Sequence, residues 1–321
     1  MLRLFNDNKP YVLLLLPFIA GVPFVIYYTY SKELFPSTVN FGLWGTLSIS
    51  KEVRIWFLLF GYLAQLGGGI ALNYLFNQSN LHERNNYMPS LLFCAFMSLS
   101  PLGMVFNGVQ IAIISMIMTI HQLLHLAQNQ SGLKMIFNAS FVFGFSATLC
   151  TSFYAIIPLL FFIILTFRPF LLREFSTYIL GMLLPSYFVF AYRNYYGFPY
   201  PWHEIQAPLI RDWASLGNVY LIVLTLLVSF AFIFALLKKW SGFINRTRKE
   251  IQFISWFLFF IAISGVLHLV LPSFYFHFLL FLVPICILFT FCFIGKGKAF
   301  IPSILFYGIW IFVMTKFIFK F

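Results

Sequence analysis

Long apolar runs separated by short polar loops dominate the hydrophobic pattern of the chain. A membrane-spanning helix needs about 20 mostly apolar residues, and such runs recur along the whole sequence. The pattern therefore predicts an all-α, polytopic transmembrane bundle of about 11 membrane helices. The predicted helices are 11–30, 55–77, 87–101, 102–127, 135–150, 151–167, 175–196, 218–237, 251–271, 274–294 and 299–319.

Two of these runs, 87–101 and 135–150, are shorter than a full membrane crossing requires. A run of about 15 apolar residues fits either a tilted span or a half-helix that is buried against protein. The sequence leaves both structures open.

The polar loops carry an asymmetric charge distribution. With the N-terminus in the cytoplasm, 13 of the 20 Lys and Arg residues fall in cytoplasmic loops, and the strongest cluster is 238–250. Cytoplasmic loops of membrane proteins carry such an excess. This predicts a multi-pass membrane protein with a cytoplasmic N-terminus and with loops of about 31–54 and 197–217 on the outer face. The apolar middle of the first loop, 41–47, predicts a helix that lies on the membrane surface.

The composition excludes a soluble protein. The chain is 61% hydrophobic and 9% charged, whereas soluble domains carry about 25% charged residues. Since no polar block is long enough for a soluble domain, 1–321 is predicted to be a single transmembrane domain. The net charge of +12 indicates orientation in the membrane and attraction to anionic lipid, not nucleic acid. The four cysteines lie in apolar runs without metal-ligand spacing, which is typical of small buried hydrophobes.

Polar residues that could carry chemistry gather at the outer ends of the predicted helices. No Asp or Glu lies inside a predicted span, which disfavours an ion-coupled transporter, because such proteins usually carry an intramembrane carboxylate. Ordinary interfacial polarity explains these residues. The alternative is a site for an anionic headgroup, with arginines for phosphate, a carboxylate as base and histidines as hydrogen-bond partners. The candidate residues are Glu33, Arg193, His203, Glu204, Arg211, His268 and His277.

Histidines and asparagines elsewhere favour structural roles. The spacing of His203, His268 and His277 fixes no metal site, so no metal and no other cofactor is predicted, with a divalent ion as the alternative. His121 and His125 lie four residues apart and predict a polar face near the cytoplasmic headgroups. The intramembrane asparagines predict hydrogen bonds between helices. These are Asn73, Asn107 and Asn138.

The order of features over residues 10–205 carries a family resemblance. One outer loop follows the first helix, SLSPLGMVFN closes a later helix, and FNASFVFGFSATLCTSFYAIIPLLFFIILTF precedes the basic segment RPFLLRE. A helix then ends in LPSYFVFAYRNYYGFPYP. This order resembles the core of the GT-C glycosyltransferases, polytopic enzymes that move sugars from polyprenyl-phosphate donors on the outer face. The residues that match the pattern of that family are Gly144, Ala147, Arg168, Arg173, Tyr196, Gly197 and Pro199.

The resemblance implies a lipid-carrier site at the outer face, with an acidic residue in the first outer loop. The family places an Asp there, whereas this loop has none; Glu33 stands in about the right place, and Glu52 is a poorer substitute. Arg193 and Arg211 would bind phosphate. The chain also resembles an uncharacterised Bacteroidota family of integral membrane proteins whose members are often labelled carotene monooxygenases. That label does not fit, because a four-histidine iron site on a β-propeller is incompatible with a helical bundle. The resemblance implies that the protein lies in the bacterial inner (cytoplasmic) membrane.

Three functions stay open from the sequence. The first is a GT-C-like protein of envelope biogenesis, either a transferase of lipid-linked sugars or a relative that only binds the polyprenyl-phosphate carrier. The second is a non-enzymatic structural subunit that docks on other membrane proteins, and the third is a transporter or flippase. Membrane lipid is a partner in each case.

Overall fold

The structure of the protein is a computed structural model in which most residues are helical. It describes residues 2–6, 9–30, 36–50, 52–79, 85–126, 132–151, 153–154, 156–157, 161, 164–165, 171–198, 245–270, 278–293 and 300–319. The α-helices are α1 (Leu2–Asn6), α2 (Leu16–Tyr30), α3 (Arg54–Gln78), α4 (Met88–Met97), α5 (Pro101–Met104), α6 (Gly108–Leu126), α7 (Gly132–Leu149), α8 (Leu172–Tyr196), α9 (Asn245–Val270), α10 (Leu282–Phe293) and α11 (Phe300–Phe319). Strands β1 (Thr38–Asn40) and β2 (Thr46–Ser48) pair antiparallel, and 3-10 turns cover Pro10–Leu15, Gly42–Trp44 and Phe278–Phe281.

Several of the described helices have the length and apolarity of membrane spans. With a rise of about 1.5 Å per residue, roughly 20 residues cross the hydrocarbon core. The fold is therefore that of an all-α membrane bundle, as the hydropathy pattern predicts. The number of crossings stays a prediction, because 218–237 and much of 151–167 lie outside the described residues. The five qualifying segments of the described residues are Pro10–Tyr30, Arg54–Gln78, Gly108–Leu126, Gly132–Leu149 and Leu172–Tyr196.

The first short apolar run, 87–101, does not form one continuous helix. Helix α4 has 10 residues, all of them buried, and a turn separates it from the four-residue helix α5. A helix of this length covers about 15 Å, or half of the hydrocarbon core. The structure thus has the buried half-helix here, whereas the second short run forms the 18-residue helix α7.

A buried carboxylate lies inside one of the candidate spans, contrary to the sequence-based expectation. Glu174 is buried in the first turn of α8. It falls inside the span because the helix begins at Leu172 and not at residue 175. Negative side chains are favourable in the first turn of a helix. The helix can therefore begin at a charged residue, whereas the hydropathy pattern places its start only after that residue. Glu250 is also buried, near the start of α9.

The helices bring distant loops together at one end of the bundle. Main-chain and side-chain contacts join residues 36–50, 106–108, 148–150 and 193–198; we call this region the hairpin end. The N–H of Phe106 also donates to the oxygen of Phe57, 3.0 Å away, near the start of α3. The loops that the topology prediction places on the outer face therefore lie together.

The loops predicted on the cytoplasmic side also lie together, at the opposite end. The N–H of Tyr87 donates to the oxygen of Phe5 at 3.0 Å. Nδ2 of Asn86 donates to Oδ1 of Asn6 at 2.8 Å, and the N–H of Asn86 donates to Oδ1 of Asn77 at 2.9 Å. This agreement supports the alternation of the predicted helices, and the direction in which the N-terminus points stays a prediction.

Helices α7 and α8 pack closely through glycines. A methyl group at Gly144 would lie 2.6 Å from the main-chain oxygen of Met182, and one at Gly181 would collide with Oγ of Ser140. Small residues allow membrane helices to approach closely. This contact fixes the end of α8 relative to the end of α7 at the hairpin end.

Candidate functional site

The loop between α2 and α3 folds as a β-hairpin. The surface helix predicted for 41–47 is wrong, because only Gly42–Trp44 forms a 3-10 turn and β1 and β2 flank it. Gly42 has a φ of 64° and Gly45 a φ of 109°. Residues other than glycine avoid these left-handed conformations. The glycines reverse the direction of the chain, which allows β1 and β2 to pair.

The tip of the hairpin is seated on the C-terminal end of α7. A methyl group at Gly42 would lie 2.6 Å from the main-chain oxygen of Leu149, and one at Gly108 would lie 2.7 Å from the same oxygen. The indole Nε1–H of Trp44 donates to Oγ1 of Thr148 at 3.3 Å. Because Gly42 and Gly108 have no side chain, the hairpin and α6 can both approach the end of α7.

Arg193 lies under the hairpin, near the end of α8. Its side chain is only 7% exposed, and its Nη1–H donates to the main-chain oxygen of Leu43 at 2.7 Å. A hydrogen bond with a charged donor contributes about 1.5–3 kcal/mol, more than a neutral one. The arginine predicted to bind phosphate thus holds the hairpin against α8 in this structure.

Helix α8 ends in a glycine cap. Gly197 is left-handed, with φ 65° and ψ 22°, and the N–H of Phe198 donates to the main-chain oxygen of Arg193 at 3.0 Å. This bond satisfies a carbonyl that the helix end leaves free, as in a Schellman motif. The sequence Tyr-Gly at this position therefore ends the helix just beyond Arg193.

Aromatic rings cluster on the surface around this cap. The ring centroids of Tyr192 and Tyr196 are 4.8 Å apart, those of Tyr196 and Phe198 6.1 Å, and those of Trp44 and Tyr192 6.2 Å. All four rings are exposed. Aromatic side chains are enriched where a membrane meets water, so the hairpin end has the character of an interfacial surface.

The structure describes only part of the predicted headgroup site. Arg193 is placed as given above, and the backbone of His268 belongs to α9, although its side chain is outside the described part. Glu52, the poorer substitute for the base, is exposed in the turn before α3. The role of these residues in a site stays a prediction. Outside the described residues lie Glu33, His203, Glu204, Arg211 and His277.

Buried amide side chains that the hydropathy pattern does not mark surround the break between α4 and α5. Nε2 of Gln65 on α3 donates to the main-chain oxygen of Cys94 at 2.5 Å and to Oγ of Ser98 at 3.0 Å. Nε2 of Gln110 on α6 donates to the main-chain oxygen of Gly103 at 2.5 Å. A broken helix is tolerated at membrane depth only when protein groups satisfy its main chain, and these amides do so.

Asn107 completes this arrangement at the start of α6. Its Oδ1 accepts the N–H of Gln110 at 2.9 Å, and its Nδ2 donates to the oxygen of Leu102 at 2.6 Å. The first bond is a helix N-cap. The spacing of Asn107 and Gln110 is that of a capping box, a sequence signal that would have revealed the late start of α6.

A pair of histidines lies at the opposite end, on one face of α6. The rings of His121 and His125 are 4.6 Å apart, and Nε2 of His121 is 2.8 Å from Oε1 of Gln78. Within the described ranges, no group of three or more His, Cys, Asp or Glu residues is placed to hold a metal ion. The pair lies on the polar face that the sequence predicts.

Comparison of the chain with protein-family models, curated proteins and solved structures found no match. The functional interpretation therefore depends on the local chemistry. At the hairpin end, this is a buried arginine beside exposed aromatic rings. At the helix break, it is a set of neutral amides in the apolar core.

Proposed function

We propose that the protein is an inner-membrane protein of envelope biogenesis that binds a polyprenyl-phosphate-linked substrate at the hairpin end. The observation that supports this proposal best is the meeting of the hairpin, the end of α7 and the end of α8. These segments are distant in sequence, and their order is the one that resembles the GT-C core. The guanidinium group of Arg193 lies among them, buried under the hairpin, with exposed aromatic rings beside it. A guanidinium group binds phosphate, and aromatic rings are enriched at a membrane surface.

The proposed chemistry is a glycosyl transfer. Glu33 removes the proton of an acceptor hydroxyl, the oxygen attacks the anomeric carbon of the sugar, and the polyprenyl phosphate leaves with the electrons of the broken bond. Arg211, with Arg193, stabilises the phosphate that leaves. Without a competent base the same site binds the lipid carrier and transfers nothing, which is the second form of the proposal.

The binding step can be tested with purified protein in lipid nanodiscs and polyprenyl phosphate as the probe. Native mass spectrometry of wild type is expected to show a bound carrier, and Arg211→Gln is expected to weaken binding about tenfold, as expected for one lost charge-assisted contact. Arg173→Gln is the matched control, because Arg173 is exposed at the other end of α8, and it should bind as wild type does. A wild-type protein that retains no polyprenyl phosphate refutes the proposal, and a stoichiometric protein partner in its place favours a structural subunit.

The transfer step needs a separate assay. With a polyprenyl-phosphate sugar and a soluble acceptor, Glu33→Gln should abolish product while the carrier still binds. Product formation by Glu33→Gln at the wild-type rate would overturn the role of Glu33. Absence of product from wild type, with carrier binding intact, would identify the non-catalytic form.

A second candidate function, a transporter or flippase, is favoured by the break between α4 and α5. Discontinuous helices near the bilayer midplane are typical of transporter substrate sites, and α4 is a buried 10-residue helix. This function predicts that fluorescent polyprenyl phosphate in the inner leaflet of proteoliposomes becomes accessible to an impermeant quencher. Quenching at the rate of protein-free liposomes would exclude flipping of this lipid.

A further inference from the structure

Two buried amide oxygens at the helix break have no hydrogen-bond partner among the described residues. They are Oε1 of Gln65 and Oε1 of Gln110, and their side chains are 0% and 1% exposed. The orientation of each amide is fixed by its other atom, because Nε2 faces a main-chain oxygen that only a donor can satisfy. Each amide therefore presents an acceptor that is buried away from water.

The two amides lie near the same turn of α3, although Gln65 belongs to α3 and Gln110 to α6. Nε2 of Gln110 is 3.5 Å from the main-chain oxygen of Gly61, one helical turn before Gln65. Side chains on a helix lean toward its N-terminus, so Gln65 leans over the turn that Gln110 approaches. A methyl group at Gly61 would collide with the oxygen of Met104, so α5 also lies against this turn.

The chemistry of the two oxygens restricts what they could bind. Buried polar groups in native proteins nearly always have a partner, and an orphaned group indicates an internal water molecule or an ion. Both groups are acceptors, so the occupant must donate a hydrogen bond or carry positive charge. Both are also neutral, whereas divalent cations in oxygen sites depend on carboxylates. A small neutral donor or a monovalent cation fits these properties.

We propose that the break between α4 and α5 binds a small hydrogen-bond donor or a monovalent cation at the buried amide oxygens of Gln65 and Gln110. The occupant is a water molecule or a sodium-sized cation, which share this chemistry. The site lies in the core of the bundle and is independent of the lipid-carrier function proposed for the hairpin end.

The first experiment is a density map of the wild-type protein in nanodiscs, in sodium chloride, at a resolution that shows ordered water. A peak within about 3.2 Å of either amide oxygen is expected. A well-resolved pair of amides without such a peak overturns the proposal, and this result requires no variant to fold.

Thermal unfolding then separates the two occupants. At equal ionic strength, a bound cation raises Tm in sodium chloride relative to choline chloride by about 2 °C or more, whereas water gives the same Tm in both salts. Gln65→Glu removes the Nε2 donor to the main-chain oxygen of Cys94 and should therefore lower Tm in both salts. Its added negative charge should still enlarge a sodium-dependent rise. Thr119→Val is the control. It removes a buried hydroxyl that donates to the main-chain oxygen of Ser115 within α6, away from the two amide oxygens, so it should leave the sodium-dependent rise unchanged. A sodium-dependent rise that Gln65→Glu leaves unchanged would overturn cation binding at these oxygens.

Discussion

Substitution of Gly42 by alanine tests whether the hairpin is docked on α7 as the structure shows. An alanine in the left-handed region costs about 1–2 kcal/mol. At Gly42, with φ 64°, the added methyl would also lie 2.6 Å from the oxygen of Leu149. The tip must then lift, which breaks the bond from Trp44 to Thr148, worth about 0.5–1.5 kcal/mol, and the bond from Arg193 to the hairpin, worth about 1.5–3 kcal/mol.

Gly197→Ala is the matched control for this prediction. Gly197 has nearly the same φ, 65°, but a methyl group there would meet nothing within 4 Å. The two variants share the backbone cost, so the docked hairpin should lose about 2–4 kcal/mol more in Gly42→Ala than in Gly197→Ala.

Hydrogen exchange measures this difference locally, without unfolding of the bundle. Because every 1.4 kcal/mol is about a tenfold change in an equilibrium constant, the amides of residues 38–48 should exchange roughly 30-fold faster or more in Gly42→Ala than in Gly197→Ala. Equal exchange of this segment in both variants would refute the seating of the hairpin on α7.

Two further predictions test the helix packing and the topology. Gly181→Ala, whose methyl would collide with Oγ of Ser140, should lower Tm by about 2–10 °C, since overpacking costs about 1–3 kcal/mol. Gly308→Ala is the control, because its methyl would meet nothing within 4 Å and should not lower Tm. Equal Tm values for the two variants would contradict close packing of α7 on α8. Thr38→Cys and Asn85→Cys introduce exposed thiols at opposite ends of the bundle, and the native cysteines are buried. An impermeant maleimide should therefore label Thr38→Cys in intact cells and Asn85→Cys only after permeabilisation. Labelling of both variants from outside would contradict the predicted topology.

The positions of several long helices could be predicted from the sequence. The hydropathy pattern gives 55–77 for a helix that spans Arg54–Gln78. The agreement is close because a helix in lipid needs apolar side chains along its whole length. The hydropathy run begins at residue 102 and does not show the capped start of α6 at Gly108, although Asn107 and Gln110 have capping-box spacing. The helix break itself is stabilised by amides from α3 and α6, and such long-range compensation leaves no local pattern.

The hairpin end shows the same limit. The apolar residues 41–47 predict a surface helix, whereas the positive φ angles of Gly42 and Gly45 produce a turn. Two short runs that contain Thr or Val, 38–40 and 46–48, lie on either side of a segment with two glycines. This is a hairpin signal, which the hydrophobic pattern obscures. The partner of Arg193 is the main-chain oxygen of Leu43, on a different element, and no periodicity in the sequence connects the two positions.

The half-helix α4 has a consequence for the biosynthesis of the protein. Its 10 residues are too short to cross the bilayer, and part of the main chain that follows is satisfied by Gln110, which the ribosome makes later. Exposed main-chain groups are not stable in hydrocarbon, so α4 and α5 have no favourable position in lipid until α6 has emerged. We therefore expect residues 88–126 to leave the translocon together, as one inserted unit beside α3.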